Sequence, residues 1–396
     1  MKKQILLSWM TLGWMPLSAG LTPLGEHVDV RWTYQKTTKQ WNCQALTNGQ
    51  GGADVFWNFD TVFLPLSDKP YSATPAESGA RNVQPASAAY AFTGVAPGEP
   101  LWLAVQGTPG VGEVWPGFEN NQPAGTFGAF LSSDSRLSQP QNVAREWIKV
   151  VFKGMIYQGT GANPAFSLFT VSGGTPRPWI STADPATNDF FLYSAGSHNH
   201  ANWGFGAMGI YRIQLAASAF EGPGQSNPTP ESPPFTLTFA VGPFAQWQAS
   251  YFSGIELEDP TISGPEADPD HDGMKNLIEF GFGYHPRMGS AIPVAAGLGL
   301  PKMDILEERG LSYEVLEYPQ RRAGDQIAPL VYTPQFSSDM NPTSWEQSGV
   351  VTSSEDFPPA QIALNAVWEK VTSKRLIGLV RPSRGFARVM LVSGAK

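Results

Sequence analysis

The stretch Val28-Asp29-Val30-Arg31-Trp32-Thr33-Tyr34 alternates apolar and polar side chains residue by residue. A β-strand with one buried and one solvated face requires this period of two. Segments 68–88, 106–126 and 221–234 are rich in Gly, Pro, Ser and Asn, so we predict loops there. Residues 21–241 are therefore predicted to form one large β-sandwich domain. Its further strand-like runs are Leu101–Val105, Trp147–Phe152, Phe166–Val171, Tyr211–Leu215 and Phe235–Phe239.

The second half of the chain changes in character twice. Residues 242–300 predict a connector made of a helix near 244–252, an acidic loop, a short helix from Asn276 to Phe282 and a flexible linker. Residues 301–396 return to strand patterns and predict a small β-sandwich domain. The strand-like runs of this part are Leu311–Val315, Leu330–Phe336, Leu376–Val380 and Phe386–Val392.

The first twenty residues have the organisation of a secretory signal. Lys2 and Lys3 precede a short apolar run, and small residues offer a cleavage site near Ala19-Gly20. No later stretch reaches 18 continuous apolar residues, so we expect no transmembrane segment in the mature chain. The predicted location is secreted or at the cell surface, in the cell envelope.

Composition excludes some classes of partner. The chain has 34 acidic and 26 basic side chains, a net charge of −8, and charged residues make up only 15%. Such an acidic, charge-poor protein is not expected to bind nucleic acid. The 41 Gly, 35 Pro and 12% aromatic residues favour short strands joined by many turns. Cys43 is the only cysteine, so no intrachain disulfide can form, and we expect it to be a small buried apolar residue.

The acidic loop Asp268-Pro-Asp270-His-Asp272-Gly273-Met274-Lys-Asn276-Leu-Ile-Glu279 fits the twelve-residue calcium loop position by position. Calcium takes six to eight oxygens, and Gly at the sixth position allows the sharp turn. Lys275 stands where a paired calcium sensor carries an apolar residue, so we predict a lone structural calcium site. The predicted ligands are Asp268, Asp270, Asp272, the carbonyl of Met274, Asn276 and Glu279.

Three of the five histidines lie in two short motifs, His27-Val28-Asp29 and His198-Asn199-His200. On a strand, residues i and i+2 point to the same face, so each motif can present two ligands together. Three imidazoles and one carboxylate suit zinc or another transition metal. We predict such a site if the two strands lie side by side; alternatively, these histidines only satisfy hydrogen bonds in turns. His271 is expected to face solvent, and His285 to lie in a loop.

Several motifs carry a family resemblance. Gly196-Ser-His198-Asn-His200-Ala-Asn202-Trp203-Gly-Phe205, followed by Gly209-Ile-Tyr211, resembles the signature of the choice-of-anchor M domain family. The resemblance extends over residues 25–218 through His27-Val-Asp29, Leu101-Trp-Leu103, Trp115-Pro-Gly-Phe118 and Phe166–Phe169. It implies a bacterial surface-anchored β domain of a kind associated with metal-uptake systems. We recognise no wall-sorting tail or terminal hydrophobic anchor, so the resemblance does not predict how the protein would be anchored.

The second half resembles another bacterial arrangement. Secreted proteins often carry a lone EF-hand-like calcium loop, as in dockerins and thrombospondin-3 repeats, followed by a small β module. Ser337-Ser-Asp339-Met340 and Trp345 are similar to a Ser-x-Asp-Leu-x-x-Trp feature of that module, although Met340 replaces Leu and Trp345 falls two residues late. In this setting the resemblance implies that calcium stiffens a connector.

Three function classes remain open. The first is a non-catalytic binding or scaffold protein linked to metal acquisition, with extracellular or cell-envelope partners, among them a metal-uptake system or a glycan. The second is a carbohydrate-binding protein that uses some of its 13 Trp residues as stacking platforms, although such residues usually fill cores. The third is a hydrolase, but the chain has neither a Gly-x-Ser-x-Gly elbow nor a His-Glu-x-x-His helix. We therefore assign no catalytic residue and no organic cofactor.

Overall fold

A computed structural model describes most of the chain. Of the predicted signal segment, only Gly20 is among the described residues. Asp339 and the last two residues of the predicted strand 376–380 also lie outside the described residues. The described residues are 20–48, 52–289, 293–295, 297–322, 330–338, 340–346, 350–351, 361–363, 367–378 and 386–393.

The fold is mainly β, with 47% strand and 11% helix arranged in several sheets. The predicted β-sandwich class is confirmed, whereas the exact domain boundaries stay predictions. The strands up to residue 241 are β1 (Thr22–Pro23), β2 (His27–Gln35), β3 (Gln40–Asn48), β4 (Asp54–Trp57), β5 (Val62–Leu66), β6 (Arg81–Val83), β7 (Pro100–Ala104), β8 (Trp115–Glu119), β9 (Ala129–Phe130), β10 (Arg145–Gln158), β11 (Phe166–Ser172), β12 (Thr175–Ser181), β13 (Phe190–Ser194), β14 (His198–His200), β15 (Asn202–Phe205), β16 (Gly209–Gly222), β17 (Ser226–Pro228) and β18 (Phe235–Val241).

Three sheets enclose the core of this first part. An eight-stranded sheet runs in the order β1-β5-β18-β16-β10-β13, with β9 and β17 attached to its long strands. Two five-stranded sheets have the orders β12-β11-β15-β7-β6 and β14-β8-β2-β3-β4. Their inner faces meet in one cluster of buried apolar side chains. The second of these small sheets, which we call the histidine sheet, carries both histidine motifs.

Strand β2 shows how the sequence pattern produces this arrangement. Val28, Val30 and Trp32 are buried in the core, as the alternation predicts. Each such side chain contributes roughly 1.5–3 kcal/mol through burial. The alternate residues, His27, Asp29 and Arg31, therefore lie on the opposite face of the histidine sheet. The apolar period places the candidate metal ligands outside the hydrophobic core.

Each of the three segments predicted as loops contains a strand: β6 lies in 68–88, β8 in 106–126 and β17 in 221–234. The error in 106–126 is the one that bears on the histidine motifs. Segment 106–126 contains strand β8, which pairs in parallel with β2 and antiparallel with β14. Its sequence, Trp115-Pro116-Gly117-Phe118-Glu119, lacks the usual strand composition because Pro and Gly occupy its middle. Long-range pairing on both sides supplies the strand conformation that local preference does not.

After the sandwich, the described residues form three α-helices, α1 (Pro243–Tyr251), α2 (Pro260–Ser263) and α3 (Asn276–Phe282). Helix α1 packs Ala245 and Ala249 against the large sheet, in a cluster with Phe63 and Ile210. Helix α3 ends at Gly283, whose left-handed backbone (φ of 77°) is the usual helix stop. Both predicted helices are thus present. Short 3₁₀ turns are formed by Phe59–Thr61, Pro75–Glu77, Ala88–Thr93, Pro223–Gln225 and Glu256–Glu258.

The C-terminal part is a second β structure with its own core. Its strands are β19 (Lys302–Glu308), β20 (Leu311–Arg321), β21 (Leu330–Ser337), β22 (Val350–Val351), β23 (Gln361–Ala363), β24 (Trp368–Gly378) and β25 (Phe386–Ser393). A five-stranded sheet has the order β19-β20-β24-β22, with β23 paired to β24, and β21 pairs with β25. Phe280 and Phe282 of α3 are buried in this core together with Tyr318 and Phe336. Helix α3 is therefore part of the C-terminal core.

Two further expectations concern single features. Cys43 packs against the sandwich core as predicted but is half-buried, not fully buried. Burial raises the pKa of its thiol well above the ordinary value. Among the described residues, no helix is both long and apolar enough to cross a membrane.

Candidate metal centres

The two histidine motifs meet on the outer face of the histidine sheet. One ligand atom from each of four side chains can be chosen so that all four atoms lie within 4.8 Å of one another. Nε2 of His27 is 3.2 Å from Nε2 of His198 and 3.2 Å from Nε2 of His200. The structure thus brings together all the residues predicted for this site, and the group can hold a metal ion. Its members are His27, Asp29, His198 and His200.

The strands that carry these motifs are not neighbours. Strand β8 lies between β2 and β14, with Gly117 opposite Asp29 on one side and opposite His200 on the other. The expectation that the two strands would pair directly is therefore wrong. The side chains meet across an intervening strand because Gly117, at the midpoint of that row, carries no side chain.

Hydrogen bonding and stacking orient His200. Its Nδ1 lies 3.3 Å from the carbonyl oxygen of Pro116, which can only accept, so Nδ1 donates and Nε2 is left with its lone pair. The ring of His200 stacks on Trp115, with centroids 3.9 Å apart and planes 15° from parallel. The pKa of His200 is lowered to about 4, first by burial and then by the charges of His198 and His27. At neutral pH this imidazole is therefore uncharged, as a metal ligand must be.

Asp29 forms the floor of the group and is only 3% exposed. Its Oδ1 lies 3.0 Å from Nε2 of His198, and its Oδ2 lies 3.4 Å from Nε2 of His27. Burial raises the pKa of Asp29, although the imidazoles and Arg31 act in the opposite direction. Arg31, next along the same face, is itself held by Asp54 at 3.4 Å and Glu119 at 3.7 Å.

The mouth of the group opens to solvent at His198, whose side chain is 45% exposed. The turn before His198 is fixed by Tyr193, whose hydroxyl bonds to the carbonyl oxygens of Phe118 and Ser197. The hydroxyl of Ser197 donates to the carbonyl of Ser194, so it serves this turn and does not bond to His198. The side chains of His198 and His27 are therefore accessible to solvent, and Asp29 is the buried member of the group.

The acidic loop also has the turn its sequence predicts. Gly273 adopts a left-handed backbone with a φ of 92°. The amides of Asp272 and Gly273 donate to the carboxylate of Asp268, at 3.2 Å and 3.0 Å. The amide of Met274 donates to Asp272 Oδ1 at 2.7 Å. Asp268, Asp270 and Asp272 each direct a carboxylate oxygen to within 4.8 Å of the others.

Glu279 is the most unusual side chain of this loop. It is fully buried, and within the described parts of the chain neither carboxylate oxygen has a hydrogen-bond partner. Its pKa is raised to about 8, first by burial and then by the negative charges of the three loop aspartates. Asp270 Oδ1 and Asp272 Oδ2 are likewise buried without a partner among described residues. Burying a carboxyl group without a partner costs several kcal/mol when it is ionised. The group of ligand atoms within 4.8 Å of one another contains the three aspartates and not Glu279.

Of the remaining residues considered in the sequence, Asn276 and His285 make other contacts. The side-chain nitrogen Nδ2 of Asn276 donates to the backbone carbonyls of Ile262 at 3.0 Å and Gly264 at 2.8 Å, which ties the loop to the preceding helix. The Oδ1 of Asn276 is buried without a described partner, so its role as a calcium ligand stays a prediction. His271 is exposed, as expected. His285 accepts from the amide of Arg287 and contacts the ring of Tyr251.

Sequence reasoning missed the residues that organise the histidine group. Gly117, Trp115 and the carbonyl of Pro116 all belong to β8, the strand predicted as loop. Their only signal was the motif Trp115-Pro-Gly-Phe118, quoted for the family resemblance and not for a site. No model of a known protein family matches the chain, and no curated protein is similar to it. Both family resemblances therefore stay predictions.

Proposed function

We propose that this chain is a secreted or cell-surface binding protein that holds a zinc-class transition metal at His27, Asp29, His198 and His200. Four ligands around such an ion at bond lengths of 2.0–2.1 Å stand roughly 3.3–3.4 Å apart at the corners of a tetrahedron. Nε2 of His27 lies 3.2 Å from Nε2 of His198 and 3.2 Å from Nε2 of His200, and Oδ1 of Asp29 lies 3.0 Å from Nε2 of His198, which is close to this edge length. The separation of 3.4 Å between Asp29 and His27 involves the other carboxylate oxygen, Oδ2. This match is the observation that carries the proposal.

The ligand set favours binding over catalysis. Catalytic zinc sites usually keep one position open for water or substrate, whereas sites with four protein ligands store the ion or stabilise the fold. Three imidazoles and Asp29 fill a tetrahedral shell, and the neighbouring Ser197 is engaged with its own turn. A non-catalytic role in capturing metal outside the cell accounts for this shell and for its open mouth at His198. A surface location and a metal-uptake partner fit the same role.

The carbohydrate alternative has less support. Four of the tryptophans, Trp32, Trp147, Trp179 and Trp203, are among the largest fully buried side chains. Trp32, Trp179 and Trp203 belong to the sandwich core, and Trp147 belongs to a separate buried cluster with Phe130 and Leu137. None of the four is accessible for stacking on a sugar. Binding to a glycan array that is insensitive to metal would restore this alternative.

Metal analysis of the purified full chain tests the proposal. After stripping and supply of zinc at neutral pH, we expect about one zinc per chain, lost in the variant His198→Ala plus His200→Ala. His271→Ala is the matched control, because this exposed imidazole lies outside the group. A parent chain that takes up no zinc, cobalt or other transition metal under these conditions contradicts the proposal.

We propose in addition that calcium occupies the acidic loop as a structural ion. The fully buried Glu279, with no partner for either oxygen among described residues, supports a cation at this place. Oxygen ligands suit calcium, and the loop spacing is that of a calcium loop. Helix α3 joins this ion to the C-terminal core, because Phe280 follows Glu279 directly. Titration calorimetry should show calcium binding that Asp268→Ala removes and His271→Ala preserves.

A further inference from the structure

Strand β8 contributes none of the four metal ligands, yet it lies under all of them. Gly117 faces Asp29 across one ladder and His200 across the other, at the centre of the site. The glycine is not required by the backbone, since Gly117 is not among the glycines with a positive φ. Its missing side chain therefore has another reason.

The reason is steric, because a side chain at this position would occupy the space between two of the metal ligands. A Cβ added to Gly117 would collide with Oδ1 of Asp29 and would lie 2.8 Å from Cε1 of His200. Real Cβ atoms do not approach other atoms this closely, so Asp29 or His200 would have to move. Asp29 is 3% exposed, which leaves its carboxylate little room to turn elsewhere.

Trp115 limits the movement of His200 from the other side. Its indole ring stacks on this imidazole at 3.9 Å and also contacts His27, with centroids 5.3 Å apart. The carbonyl of Pro116 holds Nδ1 of the same ring. Three successive residues of β8 thus fix the position, tautomer and clearance of His200.

We infer that Gly117 and Trp115 are the positioning residues of the metal site. Gly117 leaves the space in which Asp29 and His200 approach one ion, and Trp115 keeps the His200 ring in place. This inference rests on the proposed function and extends it to two residues that touch no metal. Outer-shell residues of this kind typically change metal affinity by about 10- to 100-fold.

The test uses the full chain, stripped of transition metal and kept in excess calcium, with zinc and cobalt(II) as probes. We expect Gly117→Ala to weaken zinc by about 10- to 100-fold. It should also weaken the visible absorption bands of tetrahedral cobalt, because Asp29 is displaced from the shell. Gly107→Ala is the matched control, since nothing lies within 4 Å of a Cβ there.

A double-mutant cycle separates positioning from general damage. On the Asp29→Ala background the nearest collision is gone. The loss of zinc affinity caused by Gly117→Ala should therefore be about ten times smaller there than in the parent chain. An equal loss on both backgrounds overturns the inference that Gly117 leaves space for Asp29, because the remaining close contact of the added Cβ is with His200. If Gly117→Ala alone fails to fold while the double variant folds, the collision with Asp29 is demonstrated. If both fail to fold, Gly117 is structural and the inference is wrong.

The tryptophan provides the second arm. Trp115→Phe keeps a stacking ring and should retain the cobalt spectrum, whereas Trp115→Ala should weaken zinc and broaden the spectrum. Identical zinc affinity and spectra in Trp115→Ala and the parent overturn the role of Trp115. A parent chain that binds neither zinc nor cobalt overturns the proposed function itself. A parent that binds both, with an unaffected Gly117→Ala variant, overturns only this inference.

Discussion

The two candidate metal centres are built in opposite ways. The acidic loop has its predicted ligands within 12 consecutive positions, and its turn is made by local hydrogen bonds and one glycine. The histidine group joins residues 27–29 to residues 198–200 across a strand that supplies no ligand. A local site can be recognised from spacing alone, whereas an assembled site depends on the sheet order. The two ions should therefore stabilise different parts of the molecule.

The largest expected difference concerns calcium removal. Chelation of calcium at pH 8 should lower the hydrogen-exchange protection of the connector 243–300 and of the C-terminal core, because α3 contributes Phe280 and Phe282 to that core. Calcium at about a thousandfold excess over its Kd stabilises by about 4 kcal/mol. Hydrogen exchange with and without calcium measures the effect by region. Equal loss of protection in the sandwich would show that the two parts do not respond separately.

The next effect is the pH dependence of the calcium-free chain. The folded-state pKa of Glu279 is raised from 4.5 to about 8, so the folded chain binds more protons than the unfolded chain between these values. The contribution of Glu279 to the free energy of unfolding should therefore be fully present below about pH 4.5 and be lost as the pH rises through about 8. The loss is about 3 kcal/mol, since one pKa unit is about 1.4 kcal/mol and relaxation offsets part of it.

Urea denaturation at pH 5 and pH 9 measures this change in the free energy of unfolding. Glu279→Gln should remove most of the pH dependence and also abolish calcium binding. His271→Ala, in the same loop but exposed, serves as the control. An unchanged slope in Glu279→Gln would mean that another group titrates.

Zinc should have a smaller and differently placed effect. At about a hundredfold excess over its Kd it stabilises by about 2.7 kcal/mol. The gain in protection should concentrate in β2 and the three-residue edge strand β14, which the ion links across β8. Hydrogen exchange with zinc added to the calcium-loaded chain checks this. Protection that instead rises at the C-terminal core would place zinc in the acidic loop.

The smallest expected effect is that of Asp29→Asn. This change keeps one oxygen near His198 but removes the charge, so zinc affinity should fall by about 10- to 100-fold while calcium binding stays unchanged. Competition with a zinc indicator measures the first quantity, and calorimetry the second. A loss of calcium binding in this variant would show that the two sites are coupled.

Much of the fold followed from local patterns. The alternation in β2 predicted which residues enter the core, and aromatic spacing predicted helix α1. Strand β8 was missed because Pro116 and Gly117 oppose strand formation locally, while pairing on both sides enforces it. That one omission concealed how the histidine motifs meet.

The sequence by itself determined the turn of the acidic loop and the grouping of its aspartates, because both depend only on the local spacing of carboxylates and on one left-handed glycine. It also determined that His27 and Asp29 share a face, and that His198 and His200 share another, because strand side chains alternate. Only the tertiary structure decided that these two faces are one surface. Sheet order is set by contacts between residues far apart in the chain, and here it places Gly117 where both motifs can reach the same point.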